Sequence, residues 1–233
     1  GGLYSFRPKL TAKDAVRKLV RTPGIRQMCS YKVDISNYFN SVPVERFVPM
    51  LGEALSDDPE LFEFLAGLLR EERAIERRRL PKGPEDLNDG DAGQEDFRMV
   101  REQKGIMAGT PQSSFYANLY LIDLDRHFEE LGVPYARYSD DIIVFGCTEE
   151  ETLAHREHIR GFLSDMGLSV NPAKECFSGA GEAWTFLGFC FDGGTIDIAP
   201  ATLKKLKGKM RRKARALRRW AERNGIEGEK AAK

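Results

Sequence analysis

Two adjacent carboxylates, Asp140 and Asp141, stand between an approach ending in Tyr138-Ser139 and the apolar run Ile142-Ile143-Val144-Phe145. On one continuous strand they would point to opposite faces, and like charges that close repel unless a cation or proton intervenes. A tight turn at the Ser-Asp step resolves the conflict: one carboxylate faces forward into a cleft while residues 142–145 run inward as a buried strand. An isolated Asp-Asp is commonly an ordinary acidic turn. A third carboxylate in a similar setting favours a site instead, because Val33-Asp34-Ile35 places Asp34 among apolar neighbours with Tyr38-Phe39 following.

At 233 residues the chain can build one sizeable core with a small appended module. Lys plus Arg and Asp plus Glu both total 36, so the class of partner must be read from where the charges lie. Leu203 to Arg219 holds ten Lys or Arg and no acid, whereas Pro84 to Asp96 is acidic and glycine-rich. Cys29, Cys147, Cys176 and Cys190 are far apart with no C-x-x-C pairing, and no apolar N-terminal run resembles a signal peptide or membrane span. A cytoplasmic protein that does not enter membranes is expected. His155 and His158 read as a helix surface, since neither a Cys nor a third His supports a metal site.

The periodicity predicts a helix opened by Thr11 and Asp14, a strand over 31–35, and helices over 44–55 and 59–76. The second of these helices is expected to bury Leu61, Phe64, Leu65, Leu68 and Leu69. Residues 81–103 lack a period and predict a mobile insertion, or a hairpin whose second arm includes 97–100. One helix over 113–131, a strand-turn-strand over 135–145, a helix over 149–166 and a short strand over 168–170 follow. A second hairpin lies around Asp192-Gly193-Gly194, and a basic helix closes the chain. The order predicts an α+β domain, an antiparallel sheet with helices packed on one face.

Three carboxylates on neighbouring antiparallel strands offer the oxygen ligands that hard divalent cations require. Two such ions about 4 Å apart suit phosphoryl transfer. At these residues the chain resembles the palm of reverse transcriptases, in order through nearly its whole length. The resemblance implies that Asp34, Asp140 and Asp141 bind two magnesium ions, with manganese able to replace them, helped by the Ile35 carbonyl. It implies that Phe39, five residues after Asp34, packs under the sugar and excludes a 2′-hydroxyl, and that Tyr138 touches the primer end. Counting back from Ala117-Asn118 sets Ala108 where the family has its nucleotide-contacting Gln, with Gly109 on the family's Gly. Lys174 resembles the lysine near the triphosphate, and Phe186-Leu187-Gly188-Phe189 resembles the primer grip, giving Leu187 and Gly188 a primer contact.

Lys204, Lys205, Lys207, Arg211, Arg212 and Arg215 would open a short basic thumb that meets duplex phosphates. By resemblance, residues 1–30 are a remnant of the fingers with an opening helix, 31–199 the palm, and 200–233 a thumb-like helix and tail; the fingers are incomplete. The implied activity is RNA-directed DNA synthesis from an RNA template, a DNA or RNA primer and dNTPs, with room for an accessory domain, fused or separate. The Ala108 departure also resembles phage-defence reverse transcriptases with unusual or template-independent synthesis. An inactive nucleic-acid-binding palm fragment is the alternative outside enzymes.

Overall fold

The structure is a computed structural model that describes residues 2–7, 9–71, 73–74, 99–100 and 105–226. The helices are α1 (Ala12–Val20), α2 (Tyr38–Ser41), α3 (Val44–Ala54), α4 (Pro59–Arg70), α5 (Pro111–Tyr120), α6 (Ile122–Leu131), α7 (Glu149–Asp165) and α8 (Pro200–Arg223). The strands are β1 (Cys29–Asp34), β2 (Arg73–Ala74), β3 (Met99–Val100), β4 (Tyr135–Tyr138), β5 (Asp141–Gly146), β6 (Cys176–Ser178), β7 (Trp184–Phe186), β8 (Phe189–Asp192) and β9 (Thr195–Ile198). They form a four-stranded sheet in the order β4-β5-β1-β6, a two-stranded sheet β2-β3 and a three-stranded sheet β7-β8-β9, with every strand pair antiparallel.

The chain divides into two compact units. The first comprises residues 1–34, 125–158 and 171–233, and it contains the four-stranded sheet. β5 lies at its centre with Ile142, Ile143, Val144 and Phe145 all fully buried, as a strand covered on both faces must be. On one face Ala136, Ile143 and Phe145 meet Ala15, Val16 and Leu19 of α1 and Trp184, Phe186 and Phe191 of the three-stranded sheet. The other face has helical cover as well: Phe128 of α6 stacks on Tyr135 at 4.7 Å. The expected α+β class holds, and its helices reach both sides of the sheet. α1 starts where predicted, because Thr11 and Asp14 form a reciprocal capping box.

The second unit, residues 35–124 and 159–170, holds α2 to α5. Phe47 of α3 sits edge-on to Tyr116 and Tyr120 of α5 at 5.2 and 5.7 Å. α4 ends at Arg70, earlier than predicted, and buries Leu65, Ala66 and Leu69 while Leu61 and Phe64 are exposed. Its apolar residues permit two phases; Phe62 packs against Gly52 of α3, which turns the Phe62-Leu65-Leu69 line inward. The single helix predicted over 113–131 is two, broken at Leu121. Residues 168–170 form only an isolated bridge, Val170 to Ile35. The predicted insertion over 81–103 lies outside the described residues except Met99 and Val100, which pair with Ala74 and Arg73.

Candidate active site

The register of the four-stranded sheet brings the three acids together. Asp34, the last residue of β1, is directly opposite Asp141, the first of β5, and Asp141 is opposite Tyr138 at the end of β4. Directly opposed residues share a face, so Asp34, Asp141 and Tyr138 form one row across three strands. Ser139 and Asp140 make the two-residue turn between β4 and β5, with Ser139 at φ +60°. A positive φ at the first central position belongs to the turns that match strand twist, and there a serine is strained.

The electrostatics follow from this crowding. Asp34 is 3% exposed. Burial, and then the charges of Asp140 and Asp34, push the Asp141 carboxyl up to about 6. Asp140 is raised as well, chiefly by burial. A cation is already in place on one side: the Lys174 ammonium lies 2.6 Å from Asp34 Oδ2, and that hydrogen bond raises the lysine. Asn171 braces the same residue, donating its backbone N–H to the Asp34 carbonyl at 2.8 Å and its side-chain amide to Oδ1 at 3.4 Å.

Tyr138 and Leu187 pack against one core cluster, so the turn and the predicted primer grip belong to the same unit. Leu187 and Gly188 form the two-residue turn between β7 and β8 at φ +49° and +83°. The Gly188 carbonyl accepts the Ala199 N–H at 2.9 Å, tying this turn to the start of α8. Along α8, Lys204, Lys205, Lys207, Arg211, Arg212 and Arg215 are all exposed.

The predicted nucleotide residues lie in the second unit. Ile35 is buried and bridges to Val170. Phe39 is half-buried against Tyr38, whose hydroxyl donates to the Ala117 carbonyl at 2.6 Å. The Phe39 carbonyl accepts the Ile106 N–H at 2.8 Å, which holds the segment leading to Ala108 and Gly109 beside it. Ala108 and Gly109 are exposed, and Gly109 has φ +89° with open space where a side chain would begin.

Two features escaped the sequence reading. His127 from α6 stacks on His158 at 3.7 Å, so a third histidine does join the pair on α7. Even so, among the described residues no three His, Cys, Asp or Glu side chains are arranged to hold a metal ion as they stand. The second is Arg137, a fully buried arginine inside β4. A charge inside an apolar strand is itself a signal that a buried partner exists.

An antiparallel sheet presenting paired acids at a hairpin turn, with helices behind it, defines a polymerase palm. The family described as reverse transcriptase (RNA-dependent DNA polymerase) matches residues 3–191, and the chain belongs to that family. It is 24% identical over 106 residues to the retron Ec86 reverse transcriptase of Escherichia coli, a match covering 44% of this chain and 33% of that protein. Among solved structures, it is similar to apo telomerase from Candida tropicalis truncated from its C-terminal domain. The TM-score is 0.62 at 12% identity, covering 85% of this chain and 41% of the other. Telomerase from the same organism in complex with a TWJ fragment of telomeric RNA gives 0.57 at 15% identity, covering 85% and 34%. The chain thus spans about a third of the retron enzyme and well under half of the telomerase chains. Members of the family are nucleotidyltransferases that use divalent metal ions. The donors here fit that chemistry: they are hard carboxylate oxygens, and burial together with the charges of Asp140 and Asp34 makes a cation favourable beside Asp141. No described helix is long and apolar enough to cross a membrane.

Proposed function

We propose that the protein is an RNA-directed DNA polymerase that adds deoxynucleotides to a primer 3′-hydroxyl. The observation that carries this reading is the cross-strand pairing of Asp34 with Asp141 beside Asp140 at the turn, in a chain of this family. Asp34, Asp140 and Asp141 would hold two magnesium ions, or manganese in their place, with the Ile35 carbonyl assisting; bound there, such ions acidify the primer hydroxyl and neutralise departing pyrophosphate. Lys174, paired with Asp34 at 2.6 Å, would turn its ammonium toward the triphosphate, where it can supply a proton to the leaving group. Phe39 would press under the deoxyribose, with Ala108 and Gly109 leaving the backbone open to the incoming base.

Tyr138, Leu187 and Gly188 would seat the primer end, and the α8 cations would follow the phosphates of the primer-template duplex. The four free cysteines suit a reducing cytoplasm.

The test is extension of a labelled DNA or RNA primer on an RNA template with dNTPs and magnesium or manganese. Metal-dependent extension by the wild type, lost in Asp140→Asn, is expected; duplex binding with no extension under any metal would make the chain a binding module. Omitting the template from the same assay distinguishes templated from template-independent synthesis. Substituting ribonucleotides tests Phe39, which is expected to give a strong preference for dNTPs.

A further inference from the structure

Behind the catalytic turn, and outside every role given so far, is a buried ionic network in the first unit. The Arg137 guanidinium is fully buried and Asp125 of α6 is 6% exposed. They meet in a two-pronged contact, Nε to Oδ1 at 2.8 Å and Nη2 to Oδ2 at 2.5 Å. The Tyr135 hydroxyl donates to the same Oδ1 at 2.8 Å. Arg137 is also held by its backbone, donating its N–H to the Gly2 carbonyl and accepting from the Tyr4 N–H. The third guanidinium nitrogen, Nη1, points along the strand and donates to the Ser139 carbonyl at 3.2 Å.

That last bond separates this network from an ordinary core ion pair. The Ser139 carbonyl shares a rigid peptide plane with the Asp140 nitrogen. Fixing that carbonyl fixes the plane on which Asp140 is mounted, one residue before Asp141. Ser139 has φ +60°, a conformation that strains a serine and needs outside support. Asp125 balances the guanidinium charge, so the arginine acts on the turn through geometry. From these contacts, and on the reading that the turn is that of a polymerase, we infer that Arg137, anchored by Asp125, is the positioning residue that holds the catalytic turn in register for Asp140 and Asp141.

Removing one charge alone would leave the other buried without a partner and unfold the protein. The informative variant therefore replaces the set with apolar groups of similar size, Arg137→Met with Asp125→Leu and Tyr135→Phe, and is compared with Tyr135→Phe alone. We expect a fully folded protein, KM values for primer and dNTP at the reference, and kcat lower by about a hundredfold, the cost of a small misplacement at a reacting centre. Arg137→Lys is the second variant: a point charge can stay with Asp125 but cannot span both Asp125 and Ser139. It is expected to keep the thermal midpoint and lose kcat. In both, the Asp141 amide should exchange with solvent about tenfold faster relative to the Val144 amide, the equivalent of one lost charge-assisted hydrogen bond.

Reference kcat with unchanged exchange, in either folded variant, would reduce the network to scaffold and overturn the inference. If the wild type fails to extend any primer, the proposed function falls. Amide exchange then still decides whether Arg137 holds the turn.

Discussion

Asp141 concentrates the tension between stability and function in one side chain. Its carboxyl is pushed up to about 6 by burial and by two neighbouring acids, so without a cation its ionised form destabilises the fold at neutral pH. In metal-free buffer at pH 7.5, Asp141→Asn is therefore expected to melt higher than the wild type. The gain should be on the order of 1 kcal/mol, since a partly exposed group is screened by solvent. Magnesium should raise the wild-type midpoint and leave the variant nearly unmoved, while primer extension is lost in the variant; a wild type that melts higher in chelator sinks this account. His155 gives a pH-dependent counterpart. Burial lowers its imidazole below the ordinary value, against the pull of Glu151 3.7 Å away. The fold holds the neutral ring, so this contribution is fully present above the unfolded value of about 6.5 and is lost as pH falls below it through the lowered folded value. In an Asp141→Asn background, which removes the opposing titration of Asp141, thermal midpoints followed from pH 8 to 5 should decline on the acid side, and adding His155→Gln should flatten the decline.

At the scale of elements, α8 is the part whose role is most exposed to test. Every described residue of it is exposed or half-buried except Ala221, and Trp220 lies on its surface at 57% exposure while Trp184 is buried at 4%. If the basic helix follows duplex phosphates, adding a primer-template duplex should change the emission of Trp220 and protect it from acrylamide. The Trp220→Phe variant, reporting Trp184 alone, should show neither effect. Elements like this one, and the hairpin of β4 and β5, were legible in the sequence because local chemistry dictates them: an unbroken run of cations in one, acids abutting a buried apolar run in the other. Thr11 and Asp14 announced α1 for the same reason. What was not legible depends on partners distant in the chain. The break at Leu121 has neither Gly nor Pro to mark it. The phase of α4 is set by Gly52 on another helix. That Asp34 lies on a strand neighbouring Asp141 is expected from the sequence, but the exact register that sets them opposite depends on strands far apart in sequence, and Arg137 has its meaning only beside Asp125.

At the scale of the whole molecule, a net charge of zero conceals two opposed regions. Residues 200–233 hold thirteen of the 36 Lys and Arg but only three of the 36 Asp and Glu. The first 199 residues therefore carry 23 basic and 33 acidic side chains, a net charge of −10. A body of that charge repels nucleic acid, so on the proposed function the C-terminal helix would lead the approach to a duplex. Deleting residues 200–233 is expected to leave the melting transition nearly in place, because α8 contributes almost no buried surface. Affinity for a primer-template duplex should respond far more strongly. For the intact chain, the logarithm of the association constant should fall steeply with the logarithm of salt, by about 0.9 for each phosphate neutralised. For the shortened chain the descending slope should vanish, since salt then screens a repulsion instead of competing with an attraction. Fluorescence anisotropy of a labelled duplex, titrated between roughly 50 and 200 mM salt where such slopes are readily resolved, measures both. An equal slope in the two forms would place the phosphate contacts on the acidic body and remove α8 from the binding surface.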